Sequence, residues 1–461
     1  MPTTLDPRFA TDAASSRINR LIYQRLVEFD ERVQPVGDIA DWTRPEPKHF
    51  RFTLNDRAKP FQNGDPLSSA DIKSTYDFIL DARNGSPHRS SIAMIQRIET
   101  PDARTIDFYL DRADPLFPGY LVIGILPKKL IDGRYPFDHQ PLGSGPFKFA
   151  GWPEDGRLLL TRVTDNQAVE FLHVPNPTVR VLKLMRGEID LVQNDLPPEL
   201  VTHMSTNNQL TVGRQRGSNF AYLGFNMQDP ALSKLAVRQA IACAINRQGI
   251  IDHVFGQAAR PADAVFPPDH WAGNPQLHSC GFDPTAARRL LKEAGYGPNS
   301  PLKMVYKTSS DPFRVRLATI LQSQFAKVGI DVEIRSYDWG TFYGDIKNGR
   351  FQLFSLSWIG IKTPDIFRYA FHSTAIPPVG ANRGRYSDPK VDALIEKAES
   401  LDDLTAQAAV YAQLQTLLLQ QLPYIPLWYE DHVYVARNTV HGYSTNNDGT
   451  FDGLVTTTKT N

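Results

Sequence analysis

The segment SNFAYLGFNMQDPALSKLAVRQAIACAINRQGII, residues 218–251, passes from a run of β-formers through a turn into a helical repeat whose apolar face uses Leu235, Ala240, Ile241, Ala244 and Ile245. The order reverses in FRVRLATILQSQFAKVGIDVEIRSYDW, residues 313–339, where a helical period gives way to the alternation Val332, Ile334, Ser336. Helix and strand alternating at this spacing bury their apolar sides as layers, so this part of the chain is predicted to be α/β. DPTAARRLLKEAGY adds a short helix stopped by Gly295, where a left-handed cap favours glycine. DPKVDALIEKAES and LTAQAAVYAQLQTLLLQQL read as two more amphipathic helices before PYIPLWY and DHVYVARN return to strand.

Towards the N-terminus, SSRINRLIYQRLVEFD places Ile18, Leu21, Ile22, Arg25 and Leu26 at helical spacing behind a serine cap and then feeds a strand. Between about 48 and 112, short β runs such as HFRFTLN and TIDFYLD flank a helix capped by Ser68 or Ser69, the pattern of a small α+β unit. Further strands follow LGSGPFKFAGW, and in TVRVLKLMRGEIDLVQNDLPPEL a helix ends at Gly187 and EIDLV enters a sheet. No tandem repeat of fixed period runs through the chain, which excludes solenoids and propellers.

At 461 residues the chain exceeds what one core can organise and should divide into two or three lobes. Lys+Arg and Asp+Glu balance at 50 each, leaving no long-range field to draw in nucleic acid or an anionic membrane. The longest apolar run, GYLVIGILP at 119–127, is far short of the roughly 20 residues of a membrane span. MPTTLDPRFATD has no charged start followed by an apolar stretch, and is read as the start of a mature form whose export signal has been removed. Cys243 lies in a predicted helix and Cys280 in a loop; a disulfide and two separate buried thiols both stay open.

Six phrases in fixed order carry a resemblance: LGSGPFKF, RGEIDLV, YLGFNMQDPALSKLAVRQAIACAINR, FDPTAARRLLKEAGY, KVGIDVEIRSYDW, and RYSDPKVDALIEKA followed by LPYIPLWY. With them the chain resembles, from the N-terminus to about residue 443, the large solute-binding proteins of ABC importers that take up dipeptides, oligopeptides and, in some branches, nickel or haem (family 5). The resemblance implies a two-lobed α/β fold of the periplasmic-binding-protein type II (Venus-flytrap) class. Lobe I would comprise 1–36, 143–228 and 425–461 with an extra α+β subdomain at 37–142, and lobe II 229–424. It also implies a periplasmic or lipid-anchored, monomeric receptor without cofactor, whose partners are a peptide or peptide-like ligand and an inner-membrane ABC permease. A ligand held in the cleft between lobes would favour the closed form, and a near-complete shift needs about 5.5 kcal/mol of differential affinity.

Candidate ligand contacts follow from the residues and from family position. Trp358 ends FQLFSLSW before a turn, where its ring either packs a core or walls a cleft; the resemblance favours the cleft. Three residues on, peptide-binding relatives place an aspartate for the ligand's ammonium, whereas this chain has Ile361 followed by Lys362. Asp365 either reaches the ammonium by another route or caps the helix IFRYAF. In the capping case the ligand would present a carboxylate or a blocked amine, gripped by Lys362 or Arg383. VGANRGRYSDP adds Asn382, which matches a family asparagine, and a second guanidinium, Arg385. Asn219, Tyr222 and Asn226 stand near the lobe crossover, Ser15 and Ser16 on the lobe I lip, and backbone groups near Gly145 and Trp358 would meet a peptide backbone. Tyr337, Trp339 and Tyr343 either line side-chain pockets or pack the lobe II sheet.

Two rival chemistries are weaker. Ser387 and Lys390 satisfy the S-x-x-K spacing of penicillin-recognising serine hydrolases, but the partner motifs are missing and Ser387 and Asp388 suit a helix cap. His270, His278 and Cys280 lie close in sequence, but at a spacing that matches no common zinc pattern. No catalytic residue and no metal ligand is assigned.

Overall fold

The computed structural model of the protein describes residues 1–30, 33–154, 156–256 and 258–460. The chain forms two compact units, the first made of Met1–Asp195, Asn207–Gly213 and Tyr434–Asn461, the second of Leu196–Thr206 and Arg214–Val433. Among the described residues no helix is long and apolar enough to cross a membrane.

In the first unit, helix α1 (Ala13–Ile22) buries Ile18, Leu21 and Ile22, as its period requires. Its cap is Asp12, whose carboxylate accepts from the Ser15 amide at 2.9 Å, which corrects the expected serine cap. The helix ends at Ile22, so Arg25 and Leu26 lie beyond it. It packs on Phe147, Leu158 and Leu160 from a three-stranded antiparallel sheet, Phe147–Glu154, Arg157–Arg162 and Ala168–Leu172. A second sheet, in the order Ala40–Glu46, His49–Leu54, Thr105–Leu110, Ile95–Glu99, has its own core around Phe52, Tyr76 and Phe108. The helix over it, Ser69–Leu80, starts from Ser68, whose amide donates to Asp71 at 2.8 Å in a capping box. The helix Pro177–Arg186 ends at Gly187 with φ +76°, the left-handed cap read from the sequence.

The second unit is α/β. Strand β1 (Leu210–Phe225) enters it from the first unit and is followed by helix α2 (Leu235–Ala244). Next come β2 (Leu302–Ser309), α3 (Pro312–Ala326), β3 (Ile330–Tyr337), α4 (Trp339–Lys347) and β4 (Leu353–Trp358). Helices α5 (Asp365–Phe371), α6 (Pro389–Ser400) and α7 (Leu404–Gln421) precede β5 (Tyr424–Arg437), which leaves the unit. β2 runs parallel to β3 along its length and to β4 at Tyr306 and Lys307, so the three carboxyl ends share one edge, where open α/β sheets place their ligands.

β1 pairs antiparallel with β4, setting Phe220 opposite Trp358, Tyr222 opposite Leu356 and Gly224 opposite Phe354. Its alternate residues feed two cores: Ala221, Leu223 and Phe225 join α2 and α3, whereas Phe220 and Tyr222 join Phe354, Phe367 and Tyr411. Burial on both faces is why FAYLGF is continuously apolar. A β-carbon at Gly224 would stand 2.5 Å from the Phe354 ring, so only glycine lets that ring lie across the strand.

Cys243 of α2 and Cys280 form a disulfide, with 5.4 Å between Cα atoms, that closes a 37-residue separation and resolves the alternative left open by the sequence. The chain changes units inside β1 and β5, at 213/214 and 433/434, where the resemblance set the boundaries at 228/229 and 424/425. The reason is hydrogen bonding: β1 pairs with β4 through Phe220–Phe225, and β5 pairs with Ala259–Pro261 through Trp428–Glu430.

Candidate functional site

The loop between α5 and α6 is built around Asn382, which is 1% exposed. Its Nδ2 donates to the carbonyls of His372 (3.1 Å) and Tyr386 (2.7 Å), and its Oδ1 accepts from the Tyr386 amide at 2.9 Å. With every polar atom used inside the loop, Asn382 is scaffold and not a ligand contact, a correction to the reading from the sequence. The scaffold aims the next residue, Arg383, at the face of β1 and β4 that carries Tyr222 and Trp358.

Arg383 is 6% exposed. It donates to the Tyr222 hydroxyl at 2.9 Å and to the Tyr343 hydroxyl at 3.1 Å. Its guanidinium carbon lies 4.7 Å from the Trp358 ring centre and 5.4 Å from that of Tyr343. The rings continue outward. Tyr222 stacks on Tyr424 at 4.0 Å and on Trp358 at 6.3 Å, Tyr369 meets Trp358 edge-on at 6.0 Å, and Trp339 stacks on Tyr343 at 5.3 Å. Among the described residues no carboxylate touches Arg383. Burial pushes the Tyr222 and Tyr424 phenols above their usual range against the pull of the Arg383 charge, so both are neutral at pH 7 and neither is a counter-ion. Among the described residues Trp358 Nε1 and Tyr424 Oη are buried without a well-formed hydrogen bond.

On the opposite face, a pocket of about 250 Å³ opens at the carboxyl ends of β2 and β4. Thr308, Ser309, Ser355, Ser357 and the exposed Trp339 line it. Among the described residues the Ser357 hydroxyl has no partner, and neither has the Oδ1 of Asn219, buried on the same face of β1 two residues before the lining residue Ala221. The pocket is large enough for a side chain and mixes an aromatic wall with hydroxyls, of which that of Ser357 is unpaired among the described residues.

The segment after Trp358 is pinned from below. His270 Nε2 donates to the Lys362 carbonyl at 3.2 Å, and its Nδ1 accepts from the Ala272 amide at 3.1 Å. The ring stacks on Phe266 at 4.1 Å, and burial pulls its pKa down to about 4, keeping it neutral. With both nitrogens of His270 engaged and Cys280 in the disulfide, two of the three residues that suggested a metal have other work. Among the described residues no group of three or more His, Cys, Asp or Glu could hold a metal ion.

Of the residues named from the sequence, Trp358, Tyr222, Arg383 and Trp339 thus converge in the second unit, joined by Tyr343. Tyr337 is half-buried, with the Lys307 ammonium 5.3 Å from its ring centre. Ile361 is half-buried against the Phe220–Tyr222 core. Asp365 is exposed in the first turn of α5, where Pro364 holds the cap position; its carboxylate accepts from Thr363 and makes no cap, which corrects the capping alternative. Arg385 donates to the Asn348 carbonyl at 3.3 Å, apart from the ring cluster. Asn226 bonds the carbonyl of Phe351 at 3.0 Å, an internal brace. Gly145 and Ser15 belong to the first unit. The Gly145 amide is spent on the Ile22 carbonyl at 2.8 Å. Ser15 is fully buried, its hydroxyl donating to Asp12 and accepting from the amides of Thr3 (2.8 Å) and Thr4 (3.1 Å), so it is no lip residue. Ser387 is exposed and makes no hydrogen bond to Lys390; Asp388 caps α6 by accepting from the Lys390 amide at 2.8 Å. The sequence reading missed Tyr424 and Tyr369, since PYIPLWY and IFRYAF look like ordinary core segments.

The family model for bacterial extracellular solute-binding proteins, family 5 middle, matches residues 24–377. The dipeptide-binding protein of Escherichia coli (strain K12) is 26% identical over 482 aligned residues, covering 96% of this chain and 90% of its own. Among solved structures, the ABC transporter-associated periplasmic binding protein DppA of Helicobacter pylori, in complex with peptide STSA, is 26% identical with a TM-score of 0.85 over 99% of this chain and 96% of its own. NikZ of Campylobacter jejuni, in complex with Ni(L-His), shares the fold at a TM-score of 0.87 and 23% identity over 100% of this chain and 98% of its own. The chain belongs to the bacterial extracellular solute-binding proteins of family 5.

Proposed function

We propose that this chain is the solute-capturing component of an ABC importer, that its solute is a peptide or peptide-like molecule, and that it binds this solute without chemical change. The observation that carries the reading is the 250 Å³ pocket at the shared carboxyl edge of β2 and β4, with Trp339 as wall and Ser357 unpaired inside it. Such a pocket accepts a side chain without reading it, which is what a receptor for a main chain common to many peptides needs. The peptide complex of the 26%-identical Helicobacter pylori relative supports the same class of ligand. The Cys243–Cys280 disulfide suits an oxidising compartment outside the inner membrane, either periplasmic or on the outer face.

Native mass spectrometry of protein purified from its own host tests the reading. The expected result is a monomer carrying intact peptide masses, with calorimetric binding of di- or tripeptides after the cargo is stripped. Protein that carries no peptide and binds none would refute it. Loss of peptide uptake in cells lacking this chain, restored by adding it back, tests delivery to a permease.

A further inference from the structure

We propose that His270 is a positioning residue for solute binding: its Nε2–H holds the Lys362 carbonyl, and across the turn at Gly360 that bond sets Ile359, a wall of the solute pocket. This rests on the solute-capturing function proposed above and deepens it by naming what shapes the pocket rim.

β4 ends at Trp358 and α5 begins at Asp365, so residues 359–364 carry the chain from the pocket to the core on the opposite face of the sheet. Ile359, 53% exposed, lines the pocket. Gly360 takes φ +69°, and nothing lies within 4 Å of where its β-carbon would stand. An open left-handed glycine is the most pliant point such a segment can have. Beyond it Ile361 packs against the Phe220–Tyr222 core, and the Lys362 carbonyl meets His270 Nε2 at 3.2 Å. The pocket wall thus stands one pliant residue away from its anchorage, and its position is only as fixed as that anchorage.

The anchorage is stiff. His270 is 7% exposed, and its loop is held on both sides of the ring: the Phe266 carbonyl accepts from the Tyr429 hydroxyl of β5 at 2.8 Å, and the Ala272 carbonyl from Gln415 Nε2 of α7 at 2.7 Å. Phe266, on which the imidazole stacks, meets Phe367 of α5 edge-on at 5.5 Å. Because Nδ1 accepts from the Ala272 amide, the ring proton sits on Nε2 and points at Lys362. Packing alone gives no reason for an imidazole here. Phe266, Phe367 and Tyr411 already supply rings to this core, and an apolar ring would avoid the cost of taking two nitrogens out of water. What the imidazole adds is an acceptor and a donor at a fixed separation in one plane, the first fixing the ring and the second fixing the segment after Trp358. A rim set in advance spares the solute the cost of ordering it.

The test uses the whole protein, unfolded and refolded to strip cargo, as wild type, His270→Asn and His270→Gln. The asparagine amide can take the place of Nδ1 but stops short of Lys362; the glutamine amide puts its Nε2 where the ring donor stood. Both are uncharged and smaller than the ring, so a packing role predicts the same result for the two. Occupancy by an equimolar tripeptide pool is read by native mass spectrometry over a dilution series, well below the melting temperature. Positioning predicts that His270→Asn needs about tenfold more peptide for half-occupancy, the worth of one hydrogen bond, and that His270→Gln stays near wild type. Any series in which the asparagine variant is not the weaker binder of the two overturns the proposal. The second readout requires neither added solute nor refolding: with fluorotryptophan incorporated, the fluorine NMR line of Trp358, assigned through Trp358→Phe, should move in His270→Asn and hold in His270→Gln. A line that moves in both variants, or in neither, also overturns it. If wild type captures no peptide, the peptide reading fails, and the positioning role is decided by the fluorine line.

Discussion

Acidification should destabilise the second unit through one side chain, His270. The ring is 7% exposed, stacked on Phe266, and committed at both nitrogens, Nε2 to the Lys362 carbonyl and Nδ1 to the Ala272 amide. A proton on Nδ1 would turn that acceptor into a donor facing a donor. Burial therefore lowers the pKa from 6.5 to about 4, only partly offset by the Lys362 carbonyl and the nearby Asp269. The sign follows from proton uptake: between pH 6.5 and 4 the unfolded chain binds a proton that the folded chain refuses. Stability is complete above about pH 6.5 and is lost as the pH falls through that window. The gap between the two values corresponds to roughly 3 kcal/mol, of which about 2 kcal/mol is gone by pH 5. His88, half-buried in the first unit, shifts in the same direction, so total stability against pH cannot isolate the effect. The comparison that does is His270→Gln, whose amide can still donate to Lys362 but does not titrate. Urea unfolding followed by tryptophan fluorescence at pH 7.5, 6 and 5 should show the wild type losing about 2 kcal/mol more than the variant between the ends of the series. Parallel losses for the two proteins would refute the argument.

Reduction of the disulfide, or Cys243→Ala with Cys280→Ala, should cost about 4 kcal/mol by the loop-entropy relation for a 37-residue separation, read from the urea midpoint with and without reductant. Gly224→Ala should cost about 1–3 kcal/mol, because the new methyl meets the Phe354 ring at 2.5 Å between two buried strands and the ring must turn against Tyr222. Asn382→Ala removes three buried hydrogen bonds and should cost about 2–4 kcal/mol; Asn382→Asp, which keeps the shape but cannot donate to the His372 and Tyr386 carbonyls, should cost as much in the same unfolding assay.

The parts of the fold legible in the sequence are those decided within a few residues. Gly187 and Gly295 both take positive φ after a helix, and Ser68 with Asp71 starts the helix Ser69–Leu80, since caps depend on the chain next to them. α1 shows the limit. Its serine was the local choice for a cap, yet Ser15 is drawn inward by the amides of Thr3 and Thr4, twelve and eleven residues away, and Asp12 takes its place. The points where the chain changes units were out of reach for a related reason. Periodicity shows that β1 and β5 are strands buried on both sides, and says nothing of which neighbour each half of a long strand pairs with.

The site was legible in residue type and not in function. Asn382, Gly145 and Ser15 fit the expected pattern of polar and backbone contacts, and the fold uses all three on itself. Arg383 is the reverse, a residue that the surface prior for arginine would leave in solvent and that the structure buries among rings. What distinguishes it is its surroundings, and those cannot be read from composition: 50 basic against 50 acidic side chains describe a neutral chain, while this guanidinium is met by the hydroxyls of Tyr222 and Tyr343. Arg238, 3% exposed, is likewise buried without a carboxylate, but it donates to the carbonyls of Leu232, Ser233 and Gln421, whereas near Arg383 the acids Asp345, Glu399 and Asp392 are all turned to other partners.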